Sequence, residues 1–260
     1  VRSGSNRRGK DARLAHKFLF GGRGNGRDSD KTLNRFSILL RQIIIIVSLM
    51  IALTGFIFLA FCLSSIGNYC EASEIPHRAN HYRRTLTRAA STHFGLNAPI
   101  SLFAAQIHQE SAWRPNVCSP YACGLAQFTK PTASDMGRWY PGIGKPDVFD
   151  PVWSIQALVL YNLRNYRSTK GVDGESDRWA MALAKYNGGP GWINRERNRC
   201  KKIAACDHNL WWGNVGRYCH PRRRASACKE NRHYPDKIIN RLQPIYYDAG
   251  WGGPFIKQGD

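Results

Sequence analysis

Hydrophobic residues are arranged along this chain in two different ways. From residue 43 to residue 66, IIIIVSLMIALTGFIFLAFCLSSI, they run almost unbroken and carry no charge. At 1.5 Å of rise per residue, such a run is long enough to cross a hydrocarbon layer of about 30 Å. It predicts one transmembrane helix over residues 42–67. A helix in a soluble core would keep a polar face, which this one lacks, and the apolar stretch of a signal peptide is shorter, about 7–15 residues. Further along, hydrophobic positions recur at helical spacing instead. Tyr82, Leu86, Ala89 or Ala90, and Phe94 mark a helix over 81–94, with Gly95 where a left-handed residue ends it. Asn97 then caps a second helix that begins near Pro99 and carries Phe103, Gln106 or Ile107, and Glu110 on one stripe. Asp150-Pro151 opens a third, VWSIQALVLYNLRNY, and DRWAMALAKY at 177–186 forms a fourth, stopped by Gly188-Gly189-Pro190. A last one covers 235–248, bent or broken by Pro244. No alternating pattern of comparable strength predicts a strand, so the fold class is all-α or mostly α.

Composition divides the chain further. Residues 1–41 are rich in Arg, Lys and Gly with no aliphatic pattern, too little to offset chain entropy, and read as a disordered basic tail. Residues 68–80 form a linker, 81–250 a folded domain and 251–260 a C-terminal tail. Basic flanks stay in the cytoplasm, so the N-terminus is expected inside, the anchor in the inner membrane as a single pass, and the domain in the periplasm. The cysteines agree: Cys118, Cys123, Cys200, Cys206, Cys219 and Cys228 are an even set beyond the span, as disulfides of an oxidising compartment would be, with Cys70 left over. The net charge of +20 would fit nucleic acid. Much of it lies in the tail, however, and the rest lies across a membrane, where it either meets an anionic cell envelope or serves only solubility; no nucleic acid is expected.

Glu110 is a solitary carboxyl among apolar and small neighbours. Poor solvation penalises its ionised form, so its pKa should rise until it can hold a proton near neutral pH and give it to a leaving oxygen. A glutamate at a helix end is more often simply solvated, and Glu110 gains weight only from the residues that follow it.

Those residues come in a recognisable order. Glu110-Ser111, Gly124-Leu125-Ala126-Gln127, Tyr186-Asn187-Gly188-Gly189-Pro190 and Glu230-Asn231-Arg232-His233-Tyr234 resemble the motif series of the soluble lytic transglycosylase (SLT) domain, a lysozyme-like helical fold. Phe149-Asp150-Pro151 with Ile155 is similar to the family's segment between the second and third motifs. The resemblance spans roughly residues 84–248. It implies cleavage of the β-1,4 bond between N-acetylmuramic acid and N-acetylglucosamine in peptidoglycan without water. Glu110 would act first as acid and then as base, closing a 1,6-anhydro ring, whereas ordinary glycosidases employ two carboxylates. The resemblance further implies that Gln127 binds substrate beside Ser111, that Tyr186 and Asn187 line the cleft, that Tyr186 or Tyr234 hydrogen-bonds the catalytic group, and that Glu230 is a binding carboxylate. No cofactor and no metal is implied.

Two departures from the family pattern stand out. The Gly124–Gln127 turn is one residue short and flanked by Cys118 and Cys123, whose disulfide would restrict the unfolded chain by about 2–3 kcal/mol. About residues 195–229, a Cys-rich insert has no counterpart in the motif series; its cysteines lack zinc spacing and are expected as two disulfides, and Trp211 and Trp212 either bind glycan or pack on the domain. Rival readings are a muramidase on the same fold, with Asp135, Asp147 and Asp150 as spare carboxylates, and a wall-binding structural subunit without catalysis. Tethered wall opening of this kind serves a secretion or conjugation machine or a phage, and the sequence does not choose among them.

Overall fold

The computed structural model describes residues 38–51, 53–54 and 74–258, and its chain divides into two units, Val1–Glu71 and Ala72–Asp260. In the first unit, residues 38–51 and 53–54 are helical, with their side chains exposed. Among the described residues no helix is long and apolar enough to cross a membrane. The span expected at 42–67 continues over residues 55–67, which lie outside the described residues, as do the tail up to residue 37 and residues 68–73 of the linker.

The second unit is built from helices, and no β-strand forms among the described residues beyond isolated bridges pairing Cys118 with Cys123 and Cys123 with Phe128. Helix α1 (Ala79–Phe94) ends at Gly95, which adopts the positive φ expected of it. Helix α2 (Ile100–Ser111) follows. Its start departs from expectation: Asn97 closes a short 3-10 turn and makes no cap, Pro99 occupies the capping position, and residues 251–258, expected as a tail, cover this end. Gly253 packs so closely that a Cβ there would lie 2.4 Å from the carbonyl oxygen of Ala98, while the Gly252 carbonyl accepts from the Ser101 N–H at 3.0 Å. Trp251 and Ile256 join the core.

Helix α3 (Lys130–Trp139) was not evident from hydrophobic spacing; Thr129 caps it by accepting from the Thr132 N–H, and Pro131 stands in its first turn. In α4 (Pro151–Arg167) the Asp150 carboxylate accepts from the Val152 N–H at 2.8 Å, the cap that Asp-Pro predicts. Helix α5 (Glu175–Gly188) is longer than the expected 177–186 and stops only at Gly189, whose φ of 83° suits glycine. Pro190 then opens α6 (Pro190–Cys200). The helix expected at 235–248 is the later part of a longer run: α7 (Ala225–Asp236), a widened π turn over Lys237–Leu242, and α8 (Gln243–Asp248). Pro235 lies inside α7 and Pro244 in the first turn of α8; the wide turn between them absorbs backbone groups left without an α-helical partner.

Helix α2 is the axis of this unit. Leu102, Phe103 and Ile107 are completely buried, each contributing about 1.5–3 kcal/mol by removal from water. Phe103 meets Phe94 of α1 at 5.4 Å and Trp179 of α5 at 5.7 Å between ring centroids. From Ser101 to Ile107 every residue of α2 is buried; His108, Gln109 and Glu110 are only half-buried.

Candidate active site

Beyond Ser111 the chain must reverse. Ala112 and Trp113 take left-handed backbone conformations that non-glycine residues rarely adopt, and the buried Trp113 ring holds them there, stacked on Tyr82 and donating from Nε1 to the Tyr246 hydroxyl at 2.6 Å. The loop that follows is pinned by the Cys118–Cys123 disulfide and by reciprocal backbone bonds of 3.1 Å between Cys123 and Phe128. Gly124 has φ of 82° and runs against the turn that leads into α4 so tightly that a Cβ would lie 1.7 Å from the Val148 carbonyl oxygen; no other residue fits there. Two of the turn's carbonyls are then taken from opposite sides. The Ser111 hydroxyl donates to Leu125 O at 3.0 Å, and the Tyr186 hydroxyl donates to Ala126 O at 2.8 Å. The short turn is thus bolted between α2 and α5.

This framework leaves a cavity of about 390 Å³ beside Glu110. Gln127, Phe128, Tyr186, Asn187 and Glu230 line it with Glu110, so the structure brings together five of the seven residues singled out in the sequence. Ser111 does not line it: almost fully buried, it sits behind the wall and holds the turn. Tyr234 is also buried, and its hydroxyl donates to Glu110 Oε1 from within the core. Gln127 reaches the cavity with a left-handed backbone, its Nε2 donating to the carbonyls of Val117 and Gly124, both at 3.0 Å. Asn187 donates to Glu230 Oε1 at 3.2 Å, across the cavity's edge.

Glu110 is half-buried, and its carboxyl has lost enough water that its pKa rises from 4.5 to about 8. Burial is the largest cause; the Tyr234 hydrogen bond opposes it by favouring the carboxylate, and the negative charge of Glu230 adds to it. Its place in the last turn of a helix, where the backbone dipole is negative, acts in the same direction. Burial and the nearby Glu110 likewise hold the hydroxyls of Tyr186 and Tyr234 well above the ordinary tyrosine range, so both remain protonated donors.

Behind Tyr234 runs a line of polar groups that the motifs do not contain. Asn162 donates to Gln106 Oε1 at 2.6 Å, and Gln106 donates to the Tyr234 hydroxyl at 3.1 Å; Asn162 and Gln106 are fully buried. Because Gln106 already donates to Tyr234, that hydroxyl's own proton is directed at Glu110. Their sequence signal is faint: a glutamine one turn before Glu110 on the same stripe, and an asparagine inside the apolar run of α4.

Larger depressions exist but lack this chemistry. One of about 620 Å³ lies between Arg88 and Trp139 with no carboxyl in it. Another of about 1020 Å³ shares Ser119, Tyr121, Ala122 and Phe128 with the Glu110 cavity and extends it under the disulfide loop, where Tyr121 is 83% exposed. The spare aspartates are occupied elsewhere: Asp150 caps α4, Asp147 accepts from the Phe149 N–H at 2.9 Å, and Asp135 pairs with Arg138.

The insert is closed by the Cys200–Cys206 and Cys219–Cys228 disulfides. Trp211 is buried and Trp212 donates to Ser176 Oγ at 2.9 Å, while Asp177 accepts from both of their backbone N–H groups; these rings pack the insert onto the start of α5.

Against known proteins, the family model described as "Transglycosylase SLT domain" matches residues 87–207, reaching into the expected insert but stopping before Glu230 and Tyr234. Membrane-bound lytic murein transglycosylase F of Stutzerimonas stutzeri (strain A1501) is 31% identical over 150 residues, 57% of this chain and 29% of that protein. Its counterpart from Serratia proteamaculans (strain 568) is 31% identical over 135 residues, 52% of this chain and 25% of that protein. The chain therefore spans less than a third of the length of these relatives. A solved complex of the 70-kDa soluble lytic transglycosylase with bulgecin A aligns with a TM-score of 0.47 and 25% identity over 68% of this chain and 26% of that one.

Proposed function

We propose that this chain, whose residues 87–207 match the SLT domain, is a peptidoglycan lytic transglycosylase that cleaves the β-1,4 bond between N-acetylmuramic acid and N-acetylglucosamine. The observation that carries this reading is the Glu110 carboxyl, its pKa raised to about 8 and hydrogen-bonded by Tyr234, at the wall of a sugar-sized cavity.

Protonated Glu110 gives its proton to the glycosidic oxygen as the bond from that oxygen to the muramoyl C1 breaks. The carboxylate left behind removes the proton from the C6 hydroxyl, whose oxygen bonds to C1 and closes the 1,6-anhydro ring. Glu110 ends protonated, no water is consumed, and one residue serves both steps. Tyr234 supports the carboxylate between them; Gln127, Asn187 and Glu230 offer polar groups to the sugar, and the faces of Tyr186 and Phe128 suit its apolar side.

Mass spectrometry of fragments released from purified sacculi tests this: the expected muramoyl ends are lighter by one water than reducing ends. Reducing ends alone would instead support a muramidase, for which Glu230 is the other carboxylate of the cavity. No fragments at all would favour a wall-binding subunit.

Tyr234→Phe offers a second check. The lost hydrogen bond favours the carboxylate, so the Glu110 pKa should climb above about 8 and the alkaline limb of the pH–rate profile should move to higher pH. The rate should fall about ten-fold, since one positioned hydrogen bond to a charged group contributes roughly 1.5–3 kcal/mol. An unmoved alkaline limb would refute the role given to Tyr234.

Under the same proposal residues 42–67 anchor the chain in the inner membrane with the catalytic unit in the periplasm, holding it at the membrane face of the wall for an envelope-spanning machine or a phage. The uncharged run and the basic residues before it support this, and the relatives above are membrane-bound by name.

A further inference from the structure

A second depression, of about 380 Å³, opens beyond the end of α5, between the start of α6 and the insert. Asn187 and Glu230 line both it and the Glu110 cavity, so the two are neighbouring stretches of one groove. Its far wall is basic: Arg222, Arg223 and Arg224 come from the insert, and the half-buried Trp192, with Arg195 5.0 Å and Arg223 6.0 Å from its ring centroid, lines it with them.

The three arginines are not equivalent. Arg223 is buried and already committed, its Nη1 lying 3.2 Å from both Glu196 Oε1 and Asn231 Oδ1. Gly188 makes room for it, since a Cβ there would lie 2.3 Å from Arg223 Nη2. Arg222 and Arg224 flank this fixed residue, are exposed, and have no ion-pair partner among the described residues. The insert thus holds two uncommitted guanidinium groups at the rim of the groove, beside an aromatic face. Glu230 contributes one negative charge to the same lining, which tells against a dianion such as phosphate and favours a singly charged anion with polar neighbours.

We propose that this depression is a subsite for a carboxylate on the peptide stem of the wall polymer whose sugars occupy the Glu110 cavity, Arg222 and Arg224 being its recognition groups. The inference rests on peptidoglycan as substrate but not on the chemistry at Glu110. It makes the insert a reader of peptide substitution: strands with intact acidic stems bind across both cavities, and bare glycan binds in one only.

Binding without turnover tests this directly. Full-length chain carrying Glu110→Gln is titrated onto immobilised wall glycan, either bearing its peptide stems or stripped of them by an amidase, with and without Arg222→Gln and Arg224→Gln. The parent should bind the peptide-bearing wall about ten-fold more tightly than the stripped one, a difference of about 1.4 kcal/mol, and the double substitution should remove it because both charge-assisted contacts go with the guanidinium groups. Charge reversal, Arg222→Glu with Arg224→Glu, should invert the preference, and raised salt should erase it. Equal weakening on both walls, no weakening, or binding to neither would overturn the subsite. A chain that yields no anhydro ends yet prefers the peptide-bearing wall refutes the reaction and keeps the subsite; one that yields them and binds both walls alike refutes the subsite alone.

Discussion

Glu110→Gln should lower the release of wall fragments by about 1,000- to 10,000-fold, the upper range for losing a general acid and base, while making the protein more stable at neutral and alkaline pH. Both effects have one cause. The side chain is held where its charged form is poorly solvated, so its pKa in the folded chain is about 8 against an ordinary 4.5. As pH rises above about 4.5 the unfolded chain gives up this proton while the folded chain keeps it; folding therefore loses stability progressively through that window, and the loss levels off above about 8. Discounted for the partial exposure of the residue, the penalty is on the order of 2–4 kcal/mol. Glutamine has no proton to lose and can still accept from Tyr234. Thermal unfolding at pH 8 should therefore place the variant above wild type, and the gap should close towards pH 4. A variant that solubilises wall at more than a few per cent of the wild-type rate, or that is less stable than wild type at pH 8, would refute the assignment of Glu110.

How much of this was legible beforehand depends on the range of the interaction. Helix starts written locally were readable: Asp150 before Pro151 does cap α4, and Gly95 and Gly189 do end α1 and α5. Asn97 offered the same local signal and was overruled, because residues 251–258 fold back over the start of α2 and the Gly252 carbonyl takes the Ser101 N–H that a cap could have served. Helix α3 was missed for want of apolar periodicity; only Ala133 and Met136 of its residues are buried. The even cysteine number pointed to disulfides and the short turn to the Cys118–Cys123 bond, but spacing did not give the pairing of the four cysteines in the insert. In the site, the motif order brought forward Glu110 and four other residues of the cavity wall, Gln127, Tyr186, Asn187 and Glu230. It did not tell that Ser111 lies behind the wall, and it left open whether Tyr186 or Tyr234 bonds the carboxyl; Tyr234 makes that bond, while Tyr186 donates to Ala126 O. Gln106 and Asn162 escaped notice because their meaning lies in partners 128 and 56 residues away.

Glu196→Gln should be the most damaging change to stability that leaves the Glu110 cavity untouched. Glu196, on α6, is fully buried between two guanidinium groups, with Arg223 Nη1 at 3.2 Å from Oε1 and Arg232 Nη2 at 3.2 Å from Oε2. The His220 N–H also points to Oε1, at 3.3 Å. This carboxylate joins three segments, α6, the insert and α7, the last of which carries Tyr234 two residues beyond Arg232. The amide is nearly the same size but has no charge, so it leaves two cations facing one another with little water to screen them. Breaking a buried charge group on one side costs about 3–5 kcal/mol, and for a chain of this size roughly 2–4 °C of melting temperature goes with each kcal/mol. The fall should hardly depend on salt, in contrast with the exposed Arg138–Asp135 pair. Adding Arg223→Met to Glu196→Gln should recover part of the loss, because one of the orphaned charges is then gone, and a double-mutant cycle would measure that coupling. Below its melting temperature Glu196→Gln should keep wild-type kcat within a few-fold, since Glu110, Tyr234 and Gln106 are bonded to each other and not to the insert. A melting temperature within a degree or two of wild type would show instead that the insert is held by its disulfides and by Trp211, and that the buried carboxylate contributes nothing net.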